Sequence, residues 1–245
     1  MRAAIAYIEA RKDIFRRAPF FEHLRDRRVP ARERFAFAPA AAPFVMAFAD
    51  LNNLVLRGLG GTDPLDALLD EHAREDGQHF HLYLEDLATL GYDANIRFTD
   101  ALDFLWADDH RAVRRTCYVL TALLAGATPR LRLVVVEAIE ATGSVAFAAF
   151  IDLSDELQAT TGLELSYFGR RHLALETGHL MVSPERQRDL LDIVLTEDEL
   201  THARRLVDAV FDCFEGMMAE VLSYSKAHEA SRHAFPPEGA LPVQE

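Results

Sequence analysis

The sequence predicts an all-α, single-domain bundle of seven to nine helices. Three observations carry this reading. Apolar residues recur at helical spacing along almost the whole chain, and strand-like alternation is nearly absent. Helix start and stop signals are frequent, with Pro, Ser, Thr or Asp opening segments and Gly closing them. The 245 residues are 50% hydrophobic, enough for one large core.

The elements follow in order. Residues 2–17 read as a short amphipathic helix, and a connector follows at Pro19. Residues 31–57 are apolar and helical, with Pro39 and Pro43 placed to kink or split them. Gly58, Gly60 and Gly61 stop that segment, and Thr62 and Pro64 open the next helix, which runs to Leu90 and ends at Gly91. Residues 98–107 and 110–126 form two more. Pro129 opens a long helix over 130–158 that Gly162 closes. Residues 163–181 form another, and Ser183-Pro184-Glu185 starts one more. Thr196-x-x-Glu199 is a capping box for a final helix over 197–229. Nothing in the composition divides the chain, so residues 1–233 read as one domain and 234–245 as a flexible C-terminal tail.

Charge and composition narrow the function classes. The net charge is −13 and the pI is near 5.2, with no Lys/Arg cluster to offset it, which argues against nucleic acid and anionic membranes as partners. The two cysteines, Cys117 and Cys213, make neither a disulfide scaffold nor a metal clip. The first residues lack a signal-peptide apolar core, and no uninterrupted apolar run reaches the length of a membrane span. The expectation is a soluble, cytoplasmic protein.

One spacing occurs twice, 100 residues apart: His72-x3-Asp76-x2-His79 and His172-x3-Glu176-x2-His179. On an α-helix these positions fall within an arc of about 60°. Each segment therefore presents two imidazoles and a carboxylate as one stripe. A single such stripe is common on a solvated face. The recurrence, which takes four of the chain's ten histidines, points to two stripes facing each other across a bundle around metal. Glu75 is a second candidate acid in the first segment. His81 points away from the stripe, and Glu71, Glu85 and Asp86 read as solvated.

A di-metal site needs a further carboxylate. Residues 133–150 are almost wholly apolar apart from Glu137 and Glu140, and a carboxylate there is costly unless paired or metal-bound. Glu140 is the first choice as bridging ligand and Glu137 the second. Ligation by oxygen and imidazole suits iron or manganese better than structural zinc.

The order of an acid/His helix, a lone Glu helix and a helix bearing His172-x3-Glu176-x2-His179 resembles the heme-oxygenase-like di-iron oxidases and oxygenases. The resemblance covers about residues 62–181. Glu140, 32 residues before His172, matches the family's lone Glu. The family places its first Glu three or seven residues before the His. Those positions here hold Asp76 and His72, a departure that makes His72 itself a ligand candidate. The resemblance implies a heme-oxygenase-like fold and a cluster of two Fe (Fe2+/Fe3+), with O2 as co-substrate and an external electron donor. It also implies a small carboxylate-bearing substrate, an amino acid or derivative in natural-product biosynthesis, and in several fold-mates a homodimer. Expected reactions are C–C cleavage, N-oxygenation, desaturation or nitrile formation. Alternatives are a fatty-acid oxidative decarboxylase, a cofactor-independent enzyme resembling thiaminases or pyrroloquinoline-quinone synthases, and a non-enzymatic metal-binding bundle. Arg170 and Arg171 are candidates to clamp a substrate carboxylate, and Asp50, Asn52 and Asn53 are candidate polar groups in an apolar segment.

Overall fold

The computed structural model describes residues 1–59, 63–172 and 190–228, the side chain of Glu75 excepted. The fold is all-α, with no strand among the described residues. Ten α-helices appear there, above the expected seven to nine, because the stretch read as a connector at Pro19 is helical over Pro19–Arg25, its proline opening the first turn, and two segments that read as continuous are broken. The first is 31–57. It runs as α3 (Ala31–Arg34), a 3-10 stretch (Phe35–Ala41) containing Pro39, α4 (Ala42–Asp50) with Pro43 in its first turn, and a π-helical turn (Leu51–Leu56). Proline removes a backbone donor and crowds the preceding turn, so it cuts the segment where the sequence indicated.

The second broken segment is the one that bears the first stripe. Asp63, not Thr62, caps α5 (Pro64–Asp76), its side chain accepting from the Leu65 N–H at 2.9 Å. Thr62 lies outside the described residues. After Asp76 the helix stops, and α6 (Phe80–Thr89) begins after a turn at 77–79.

The remaining helices flank a central one. Before them come α1 (Arg2–Phe15) and α2 (Pro19–Arg25). Then follow α7 (Phe98–Trp106), α8 (Arg111–Ala125), α9 (Pro129–Thr161) and α10 (Glu197–His228). Gly162 closes α9 in the left-handed region at φ 77°, where a Cβ would be strained. The Thr196 box forms as read. The Glu199 N–H donates to Thr196 Oγ1 at 3.2 Å and the Thr196 N–H to Glu199 Oε2 at 2.8 Å. The stretch 163–169 is not helical, so the expected 163–181 helix begins only at 170. The segment from Ser183 and the tail after His233 lie outside the described residues.

Helix α9 packs against α1, α2, α5, α8 and α10. Its buried face joins Phe20, Phe37, Phe150 and Phe168 in an aromatic core of mostly edge-on rings. By length and composition alone Ala31–Leu59 and Pro129–Thr161 are apolar enough to cross a membrane. In α9 that apolarity serves the core, since 67% of its most apolar window is buried inside the protein. Two charged groups lock the frame. Arg34, 1% exposed, pairs with Glu156 of α9 and donates to the Leu24 carbonyl at 2.6 Å. Arg132 of α9 donates to Asp66 of α5 at 3.1 Å, fixing α5 against the helix that carries Glu140.

Candidate metal centre

The turn after α5 decides where the first stripe points. Asn53, from the π-helical turn, donates to the Gly77 carbonyl at 2.8 Å. The approach is so close that a Cβ on Gly77 would lie 2.5 Å from the Asn53 amide. A larger residue would therefore displace the Asn53 amide from its bond to this carbonyl, and the break ends α5 just after Asp76. His72 and Asp76 are buried on α5 at 2% and 5% exposure, while His79 sits in the turn rather than on the helix. The single-helix reading of 62–90 is corrected there, yet all three side chains still converge. His81 is exposed, as expected.

Asp86 positions the second segment. It reads as a solvated acid in the sequence, but it is 1% exposed. Its carboxylate accepts the backbone N–H groups of Ser166, Tyr167 and Phe168 at 2.6, 2.9 and 2.9 Å. Burial raises its pKa and the three N–H donors oppose that rise. The signal in the sequence is its place beside Leu82 and Tyr83 on the buried face of α6. Gly169 completes the loop, since a Cβ there would stand 2.0 Å from the Leu165 carbonyl oxygen. His172 follows at once, 2% exposed. Its ring stacks on Tyr167 with centroids 4.7 Å apart and meets the edge of Phe147 at 4.2 Å.

The donor atoms form two groups joined at Asp76. His72 Nε2 lies 3.2 Å from Glu140 Oε1 and 3.4 Å from Asp76 Oδ2. Ligand atoms of these three residues all lie within 4.8 Å of one another. The other Asp76 oxygen, Oδ1, faces His79 Nδ1 at 4.0 Å, and that nitrogen lies 2.9 Å from His172 Nε2. Asp76 thus turns one oxygen to His72 and the other to His79, and Glu140, the first choice as bridging ligand, stands in the His72 group. His72 belongs to the donor set. Glu176 and His179 lie outside the described residues.

Among the described residues, His72, Asp76 and Glu140 bring their donor atoms close enough together to hold one metal ion. Two ligands at right angles, each about 2.1 Å from a metal, stand roughly 3 Å apart, close to the 3.2 and 3.4 Å around His72 and the 2.9 Å between His79 and His172. His172 Nδ1 lies 3.1 Å from the Tyr167 carbonyl. A carbonyl only accepts, so Nδ1 carries the proton and Nε2 offers its lone pair, the usual support for a metal-binding imidazole. The donors are nitrogen and carboxylate oxygen, without sulfur, which suits iron, manganese or zinc.

A cavity of about 520 Å³ opens onto Asp76, His79, Glu140 and His172. Its walls are mainly apolar and include Phe44, Phe48, Phe147 and Phe150. Glu137 also lines it but supplies no atom to the His72, Asp76 and Glu140 group. Burial, with the nearby Glu140 second, pushes its carboxyl up to about 7. Arg170 and Arg171 do not line the cavity. They are 71% and 60% exposed and pair with Asp155 and Glu85, because helical rotation from His172 turns both outward. The expected substrate clamp is not formed by them.

No protein-family model matches the chain, and no curated protein matches it.

Proposed function

We propose that this chain is a non-heme di-iron, O2-dependent oxidase or oxygenase acting on a small organic substrate held in the apolar cavity. The observation that carries the reading is Asp76, which turns one oxygen to His72, beside Glu140, and the other to His79, which in turn faces His172. Buried carboxylates and imidazoles in this arrangement are compensated when they ligate cations. Iron supplies O2 activation when bound. His72, Glu140 and Asp76 would hold one ion, and His79, His172 and Asp76 the other, with Glu176 and His179 as further ligands. The Tyr167 carbonyl keeps His172 in the ligating tautomer. The aromatic walls exclude water and receive the apolar part of the substrate. The ligand order resembles that of the heme-oxygenase-like di-iron enzymes, which makes an amino acid or a relative of one the substrate class, with an external electron donor and a homodimer as further parts of the proposal.

Anaerobic Fe(II) titration followed by O2 exposure, read by Mössbauer spectroscopy and O2 consumption, tests this. Two irons per chain and substrate-dependent O2 uptake are expected. No iron uptake at all would favour a cofactor-independent enzyme, and iron without O2 consumption a metal-binding bundle.

A further inference from the structure

The charged side chains that line the cavity are compensated, with one exception. Lys12 pairs with Glu9 at 3.5 Å across one turn of α1. Asp76 and Glu140 share His72, and His79 and His172 face each other. Glu137 lines the same cavity with no ion pair or hydrogen bond to its side chain among the described residues. The cavity it lines is walled mainly by apolar side chains, among them Ile5, Ile8 and Ile139, which cannot solvate a charge.

We propose that Glu137 is the anchor for a substrate ammonium group, so that the cavity takes a primary amine with an apolar body, amino acids included. The inference rests on the reading of the cavity as the substrate pocket. An ionised carboxylate in an apolar enclosure is costly unless a cation meets it, and a charge-assisted hydrogen bond from R–NH3+ offsets that cost. Position adds to the chemistry. Glu137 precedes Glu140 by one helical turn, about 4.5 Å along α9, and Ser144 and Phe147 continue the same face. An amine held at Glu137 therefore lays its body along the stripe that carries Glu140, beside the metal ligands. The raised pKa of this carboxyl agrees with that setting: burial is its first cause and the neighbouring Glu140 charge its second, with His72 opposing.

Calorimetry on the full-length, metal-free protein tests the proposal. The probes are 2-phenylethylamine, octylamine and leucine, each matched to the alcohol or des-amino analogue of the same body. Wild type should bind at least one amine about 10–100-fold more tightly than its neutral match. Glu137→Gln should lose that preference while keeping the affinity for the neutral match, the thermal unfolding midpoint and the iron stoichiometry. Glu137→Asp should recover part of it. Equal binding of amine and neutral match, or no amine binding in the panel, would overturn the proposal. Loss of iron in Glu137→Gln would also overturn it, by making Glu137 a metal ligand. Because binding is read without metal, failure here leaves the di-iron reading intact. Selective amine binding by a protein that takes up no iron would support this site and sink that reading.

Discussion

His79 Nδ1 and His172 Nε2 face each other at 2.9 Å across 93 positions of sequence. Neither is placed by a regular helix running through its whole segment. His79 stands in the turn between α5 and α6, and His172 follows a non-helical stretch that Asp86 holds from below. The meeting point is built by three contacts outside the metal ligands: Asn53 on the Gly77 carbonyl, Asp86 on three N–H groups, and the Tyr167 carbonyl on His172.

Asp76 joins the two donor groups, so its loss should differ in kind from that of either histidine. His79→Ala and His172→Ala should each leave the His72 and Glu140 group intact and bind about one metal per chain instead of two. Asp76→Ala should lose both. Metal analysis after dialysis, with circular dichroism to check the fold, separates these outcomes. Full metal content in Asp76→Ala would remove it as the shared ligand.

Gly77→Ala places a Cβ 2.5 Å from the Asn53 side chain, so the Asn53 amide must swing away and release the Gly77 carbonyl that it holds between Asp76 and His79. Overpacking of this kind costs about 1–3 kcal/mol. Metal affinity should fall by about 10–100-fold, the range for losing a supporting contact around a metal site. Asn53→Ala removes the same contact without a clash and should lower the affinity to a similar extent. An Asn53→Ala variant with wild-type metal affinity would show that this contact does not hold the turn.

The fold class was legible because helical periodicity and caps are local properties. The Thr196–Glu199 box and the Gly162 stop both form where the residues stand. The convergence of His72, Asp76, His79 and His172 was legible because a recurring His and acid spacing survives small changes of backbone. The break after Asp76 was not, because it depends on Asn53, 24 positions away in sequence. Nor was the burial of Asp86, whose partners lie 80 to 82 positions downstream. Arg170 and Arg171 misled for the same reason. Adjacency to His172 says nothing of direction when the helix begins at 170 and turns them to Asp155 and Glu85.

Asp86→Ala would leave three N–H groups without their acceptor, that of Phe168 buried and those of Ser166 and Tyr167 partly buried. Each lost partner costs about 1–3 kcal/mol before relaxation, so a large fall in unfolding midpoint is expected. The loop also loses its hold on His172, so metal in the His79 and His172 group should be lost before that in the other. Asp86→Asn keeps one acceptor oxygen and should fall between. Denaturant unfolding of the metal-free variants separates the fold effect from the site effect.

Glu137 gives the metal-free protein a pH dependence of definite sign. Its carboxyl is pushed from the ordinary 4.5 up to about 7, by burial first and by Glu140 and Glu9 after, with His72 opposing. Between those values the folded state binds a proton that the unfolded state has released. This contribution to stability is therefore fully present below about 4.5 and is lost as pH rises through about 7. Glu137→Gln keeps a neutral group of the same shape and should flatten that part of the profile, gaining stability over wild type at pH 8. Asp86, also raised by burial, slopes the same way in both proteins, so the difference between their unfolding midpoints across the range isolates Glu137. A difference that did not grow with pH would place the carboxyl in a compensated environment and remove the uncompensated anion from the cavity.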